Sequence, residues 1–177
     1  MKRALLFFLL LGTIVQAQYH KGSFSLGSRS TLSLFNQQGL GTGVGGQFRV
    51  GLSDRVNTEW FADYLFVKSD QTSRKDYHIG WSVMYYPWLT DKKLQPYFLS
   101  GHCFDYSDLQ KKGEVYTSHQ DKWSSAIQAG AGTHLFLDDH SDLSLSTQYM
   151  IHLGKGHHPS VEKESHVLLT LSYNYQF

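Results

Sequence analysis

The chain has 177 residues, with 16 Lys and Arg against 15 Asp and Glu for a formal charge of +1, and Cys103 is its one cysteine. A charge so near neutral argues against a nucleic-acid partner, and one thiol excludes an internal disulfide or a cysteine-rich metal site. The mean hydropathy is −0.35 and no long apolar run follows the first residues, which rules out a helical membrane protein but not one that crosses with strands.

Lys2 and Arg3 precede an apolar run from Ala4 to Leu11, and Val15-Gln16-Ala17 places small or modest side chains where a signal peptidase reads them. Residues 1–17 therefore read as a secretory signal peptide cleaved after Ala17, leaving a mature chain of residues 18–177. The run is too short to span a bilayer as a helix, and no cysteine follows the cleavage site to carry a lipid anchor. Removing Lys2 and Arg3 leaves 14 basic side chains against the same 15 acidic ones, a formal charge of −1.

The mature chain shows no helical period and divides into four hairpins. A first strand from Gly22 to Phe35 carries Phe24, Leu26, Leu32 and Leu34 on one face and turns through Asn36 to Gly41. The return from Gly43 to Leu52 puts Val44, Phe48, Val50 and Leu52 opposite Gln47 and Arg49. After a tight turn near Ser53 to Val56, the third strand, Asn57 to Lys68, has Trp60, Ala62, Tyr64 and Phe66 outward and Glu59, Phe61, Asp63 and Leu65 inward. A polar stretch, Asp70 to Asp76, leads to Tyr77, Ile79, Trp81, Val83 and Tyr85 on a fourth strand, and Leu89 to Lys93 form the next turn.

On the fifth strand, Gln95 to Tyr106, the row Tyr97, Leu99, Gly101 and Cys103 suits lipid but runs into Asp105, so a bulge or an early end near Phe104 is expected. The longest loop spans Asp108 to Lys122. The sixth strand sets Ile127, Ala129, Ala131, Leu135 and Leu137 against Gln128, Gly130, Gly132 and His134. A tight turn at Asp138 to Ser141 leads into Leu143, Leu145, Thr147, Tyr149, Ile151 and Leu153, and a polar loop follows from Lys155 to Ser165. The last strand, His166 to Phe177, is apolar at every second position from Val167 to Phe177, and only Leu168 breaks its polar face.

An amphipathic strand closing on Tyr173-x-Tyr175-x-Phe177 resembles the terminal strand of bacterial outer-membrane barrels, and residues 18–177 as a whole resemble the small eight-stranded proteins related to the OmpA transmembrane domain and OmpX. The resemblance implies an all-β, eight-stranded antiparallel up-and-down transmembrane β-barrel in the outer membrane, in contact with lipid and lipopolysaccharide. It also implies that the barrel-assembly machinery reads the C-terminal strand. The second, fourth and sixth connections are short, the third, fifth and seventh are longer and the first is intermediate, which puts both termini in the periplasm. Trp60, Tyr85, Trp88, Tyr97, Tyr175 and Phe177 would then form a periplasmic aromatic girdle, with Phe35, Phe66, Tyr77 and Trp123 at the outer rim.

Within such a barrel, pairing of the first two strands is expected to set Arg29 opposite Arg49, with Glu59 and Asp63 alongside. Eight strands leave room mainly for side chains, and charges removed from water need partners, so these four read as a salt-bridge plug or else as a gate that opens transiently to small solutes. The run Gly39-x-Gly41-x-Gly43-x-Gly45-Gly46 lacks the Lys-Ser/Thr and the helix of a phosphate loop, and a flexible outer loop entering a strand with small lumenal residues explains it.

Ten histidines raise a metal site, particularly His152, His157 and His158 with His119, but no spacing fixes a ligand set, and His102 and His134 read as lumenal hydrogen-bonding residues. Eight-stranded barrels include lipid A deacylases and acyltransferases with His and Ser near the outer rim. The pairs His158-x-Ser160 and Ser118-His119-x-Asp121 fall in loops, too close in sequence to build a nucleophile, base and orienter unaided. No catalytic, metal or cofactor residues are assigned. The expected role is a non-enzymatic structural or adhesive barrel; the alternatives are an accessory subunit of a larger outer-membrane complex, a narrow porin and a lipid A-modifying enzyme.

Overall fold

The computed structural model describes residues 21–35, 39–68, 72–89, 93–111, 119–153 and 165–177. The signal peptide expected at residues 1–17 lies outside them. Eight strands follow in order: β1 (Phe24–Phe35), β2 (Gly39–Ser53), β3 (Val56–Lys68), β4 (Thr72–Tyr85), β5 (Leu94–Lys111), β6 (His119–Phe136), β7 (Ser141–His152) and β8 (Ser165–Gln176). Each pairs antiparallel with its neighbours, and β8 returns to β1 with Leu32 opposite Leu169 and Ser25 opposite Gln176, closing the barrel. Closure joins the first and last strands of the sheet, the condition for placing β backbone in hydrocarbon. Phe177 extends this seam by donating its backbone N–H to the Phe24 carbonyl at 2.9 Å.

Two ends of the barrel can be told apart. The terminal end carries residues 21–23, Phe177 and the connections 54–55, 86–93 and 137–140; the loop end carries the connections 36–38, 69–71, 112–118 and 153–164. Strand extension changes the lengths expected from sequence. β4 begins at Thr72 inside the stretch read as a loop, and β5 and β6 run on to Lys111 and from His119, pairing Asp108 with Asp121. Ladder hydrogen bonds are made by the backbone, so a hairpin continues where both faces turn polar and the hydrophobic period is lost. The third connection thereby shrinks to residues 69–71 while the fourth spans 86–93, and the expected alternation of short and long connections does not hold throughout.

The outer wall is greasy and the interior is polar, the reverse of a water-soluble sandwich. Leu26, Leu34, Val44, Ile79, Leu145, Leu171 and their row-mates are exposed, whereas Arg29, Arg49, Glu59, Asp63, Asp105, His134 and Asn174 are buried. Leu168, the break in the pattern of β8, points inward and joins Phe61, Leu65, Cys103, Ala126 and Met150 in a small apolar cluster. A second cluster comprises Met84, Tyr86, Tyr97, Leu99 and Phe136.

Strand five corrects the sequence reading. Pairing with β4 and β6 is continuous through Asp105, without the expected bulge or early end. Asp105 is buried, and the period of two carries Cys103, Leu99 and Tyr97 inside with it, while Phe98 and Phe104 face out. His102 therefore shares the outer face with Phe104, whose ring it meets edge-on at 4.8 Å, and is not lumenal.

Register in the first hairpin also differs: Arg29 lies opposite Gly45, and Arg49 lies opposite Ser25. The cause is local. Gly39 and Gly41 belong to β2, opposite Phe35 and Ser33, and are not part of an outer loop. A Cβ at Gly45 would collide with the Asp63 carboxylate and the Ala62 carbonyl, so an absent side chain makes the space that the inward residue of β3 fills.

Candidate functional site

The four charged residues singled out in the sequence meet in the lumen through cross-strand pairing. β2 and β3 set Arg49 directly beside Glu59, and Arg49 Nε donates to Glu59 Oε2 at 2.8 Å. Arg29 reaches the same carboxylate from β1, with Nη1 donating to Glu59 Oε1 at 3.4 Å, and its Nε lies 3.1 Å from Asp63 Oδ1. The Arg29 guanidinium also sits 4.5 Å from the centroid of the Phe61 ring. Glu59 thus bridges two arginines, and Arg29 bridges two acids.

A third acid, Asp142, joins from the far wall. Its Oδ1 accepts from Arg49 Nη1 at 3.3 Å, from Asn174 Nδ2 at 2.9 Å and from Ser144 Oγ at 3.1 Å. Arg49 Nη2 donates to Ser144 Oγ at 3.1 Å. Nearby, Tyr86 Oη lies 3.0 Å from His134 Nε2 and accepts from Asn57 Nδ2 at 3.0 Å, and Tyr97 stacks on His134 with centroids 4.5 Å apart. All sit near the terminal end, within a few residues of the turns that bound their strands. Asp142 escaped the sequence reading because it abuts the Asp138 to Ser141 turn, although its place one residue before the outward Leu143 marks it as inward-facing.

His134, Asp142 and Ser144 have the composition of a hydrolytic triad but not its geometry. Relay needs the acid on one imidazole nitrogen and the nucleophile on the other. Here Asp142 Oδ1 at 3.2 Å and Ser144 Oγ both approach His134 Nδ1, and Nε2 faces the phenol of Tyr86. The group ties β6 to β7.

Toward the loop end lies a cluster that the sequence reading missed. Asp105 of β5 places Oδ1 3.6 Å from His78 Nε2 and Oδ2 3.0 Å from His152 Nδ1, and His152 Nε2 is 3.3 Å from His166 Nδ1. The Cys103 thiol donates to Asp105 Oδ1 at 3.2 Å. Farther along, Arg74 Nε donates to Asp76 Oδ1 at 2.7 Å. Correct facing of β5 was the missing signal: once Asp105 turns inward, register sets His78 beside it. Among the described residues no group of three or more His, Cys, Asp or Glu is arranged to hold a metal ion. Of the loop residues considered for metal or catalysis, Ser118, His157, His158 and Ser160 and the side chains of His119 and Asp121 lie outside the described residues.

Trp60, Tyr85 and Tyr175 stand exposed on the outer wall, with Trp88 exposed in the connection after β4 and Phe177 just past β8, whereas Tyr97 is 3% exposed and belongs to the lumen, which removes it from the expected girdle. Near the terminal end, Phe24 lies 6.0 Å from both Phe48 and Phe177, and Phe48 stacks on Trp60 at 6.1 Å. Toward the loop end, Tyr64, Tyr77, Tyr106 and Trp123 form a row across β3 to β6 with centroids 5.1 to 5.9 Å apart. The side chain of Phe35 lies outside the described residues.

No protein-family model and no curated protein sequence matches the chain. Solved structures do. Neisserial surface protein A superposes with a TM-score of 0.64 at 17% identity, covering 89% of this chain and 100% of that one. The N-terminal β-barrel domain of Pseudomonas aeruginosa OprF gives 0.62 at 14% identity, with coverages of 89% and 98%. Ail, the attachment invasion locus protein of Yersinia pestis, gives 0.56 at 13% identity, with 89% and 99%. With the closed antiparallel topology, these likenesses show that the chain has the fold of the small eight-stranded outer-membrane β-barrels.

Proposed function

We propose that the protein is an integral outer-membrane β-barrel with a non-enzymatic structural or surface-interaction role and a lumen closed by its own side chains. The observation that carries this reading is the inversion of polarity: ion-paired charges inside a closed sheet whose outer wall is apolar and rimmed with aromatic rings. In water such a wall would be an aggregation surface; in a bilayer it is the solvated one. Lipid and lipopolysaccharide are its surroundings, the assembly machinery engages β8 through its aromatic end, and both termini lie in the periplasm after cleavage behind Ala17.

Fractionation with a gel-mobility assay tests this reading. Mature protein should sediment with outer membrane and migrate faster unheated than boiled, because a closed hydrogen-bonded barrel resists detergent unfolding. Deleting Phe177, or replacing it with Asp, should reduce the folded fraction. Recovery of the unmodified chain as soluble periplasmic protein would contradict the proposal.

One observation favours a second reading, an accessory subunit docked on a larger outer-membrane complex. His102 stands on the outer wall midway along β5, between Trp81 and Ile127, with Ser100 exposed beside it. Polar side chains at membrane depth ordinarily face protein or water. Gentle detergent purification separates the two readings: stoichiometric co-purification with a larger barrel, lost in His102→Leu, supports docking, and a lone monomer supports the first.

A further inference from the structure

The wall of the barrel is uneven at its loop end. β5 and β6 each run for 18 residues, whereas β7 runs for 12. β6 pairs with β5 as far as His119, opposite Gln110, but with β7 only as far as Ala126, opposite His152. The β7 side ends where the Leu153 backbone N–H donates to the Ser125 carbonyl at 2.7 Å. Among the described residues, β6 is therefore paired on one side only from His119 to Ser124.

The period of the ladder says which groups line that edge. In an antiparallel pair a residue sends its N–H and its C=O to the same neighbour, and successive residues alternate between neighbours. Ser125 serves the β7 side through its carbonyl, and Phe136 serves the β5 side, where its N–H donates to the Lys93 carbonyl at 2.8 Å. The pairing with β5 runs without a shift between them. Trp123, Asp121 and His119 thus hold their backbone N–H and C=O groups along the open edge, while Ser124, Lys122 and Gln120 direct theirs to β5.

The edge stands at and beyond the aromatic row of the outer wall. Trp123 is the β6 member of that row, beside Tyr106, and is 71% exposed. Asp121 and His119 lie past it, beyond the level at which such rings mark the hydrocarbon boundary, so their unpaired backbone groups meet water and not lipid. β4 backs the projection, with Lys75 opposite Asp108 and Thr72 opposite Lys111, which makes it a three-stranded sheet and not a lone hairpin.

We propose that this edge of β6 takes an extended segment of another polypeptide as an added strand. The proposal rests on the outer-membrane reading, which places the loop end outside the cell. Backbone donors and acceptors repeating at every second residue match an extended polypeptide, which carries the same repeat, and the site continues the ladder that β7 begins. The chain's own residues after Leu153 read Gly-Lys-Gly-His-His-Pro, a composition of low β-propensity, so the sequence favours a strand from outside. A second copy inserted the same way up fits poorly. Strands of such barrels tilt by about 35–45°, so two facing β6 edges would cross at roughly twice that angle and form no ladder.

Amide exchange of the folded barrel in detergent micelles tests this, without and with a synthetic peptide of about ten residues that alternates Val and Thr between lysine ends. Alone, the amides of His119, Asp121 and Trp123 should exchange fast and those of Gln120, Lys122 and Ser124 slowly. Excess peptide should slow the first set at least about tenfold and leave the second unchanged. Asp121→Pro removes a donor that points away from β5, so the variant should keep the heat-dependent gel mobility of the folded barrel and lose at least about tenfold in peptide affinity. If the variant does not fold, the exchange pattern of wild type decides alone. Slow exchange at all of these positions without peptide, the mark of an edge covered by the chain itself, overturns the proposal. So does an absence of protection by the peptide, or protection that Asp121→Pro leaves intact. Recovery as a soluble periplasmic protein would instead defeat the outer-membrane reading, on which the outside partner depends.

Discussion

The two halves of the lumen solve the same problem, charge inside a closed sheet, with different chemistry. Toward the terminal end two arginines and two carboxylates interlock: Glu59 serves Arg29 and Arg49, and Asp142 closes the circuit from β7. Toward the loop end the Asp105 carboxylate meets His78 and His152, His152 meets His166, and Asp63 stands opposite His78 on β3. The first network is built chiefly on guanidiniums, with the imidazole of His134 set against Asp142, whereas the second is built on imidazoles around Asp105.

Breaking the arginine network should have the largest effect. Glu59→Ala removes the carboxylate that two guanidiniums share, leaving Arg29 with Asp63 and Arg49 with Asp142, and should destabilise the barrel by about 3–5 kcal/mol, somewhat less where lumenal water reaches them. Urea unfolding followed by tryptophan fluorescence measures this, with the exposed turn variant Asp54→Ala as the control that should change little. Leu168→Ala should rank next, at about 2–5 kcal/mol for a cavity in the inner apolar cluster, toward the lower end because the flexible Met150 can partly fill it. Asp142→Ala should cost about 1.5–3 kcal/mol, since Arg49 keeps Glu59 while Asn174 and Ser144 lose an acceptor.

The smallest effect is expected at the turn between β6 and β7. Asp138 is held below the usual carboxylate range, first by the Ser141 hydroxyl at 2.7 Å and then by the His140 backbone N–H. A depressed carboxyl contributes stability that is present above its unfolded pKa and lost as pH falls through its folded one. Hydrogen exchange of the His140 amide should accordingly speed up in Asp138→Ala, with little change in global stability. Equal exchange rates in the two proteins would show that the turn does not depend on the side chain.

Much of the barrel was legible in the sequence because lipid selects side chains on one face only. Strand number, the outward rows of β3, β4, β7 and β8, and the meeting of Arg29, Arg49, Glu59 and Asp63 all follow from a period of two. The failures arose where that signal is degenerate. On β5 both faces are apolar, with Tyr97, Leu99 and Cys103 on one and Phe98 and Phe104 on the other, and the charged Asp105 was the residue to weight: a carboxylate turns inward and the pleat carries the rest of its row. Misfacing that strand hid the histidine cluster and moved Tyr97 and His102 to the wrong sides. Register in the first hairpin failed because Gly39 and Gly41 read as turn, when they belong to β2 and lead into Gly43 and Gly45, which admit the larger inward side chains of β3.

Planar-bilayer recording of the folded, unmodified protein at pH 7.5 tests the central claim most directly. A lumen filled by the Arg49–Glu59–Asp142 network and its apolar neighbours predicts little steady current, with rare brief openings. A large, stable open channel under those conditions would contradict the closed lumen and favour a porin.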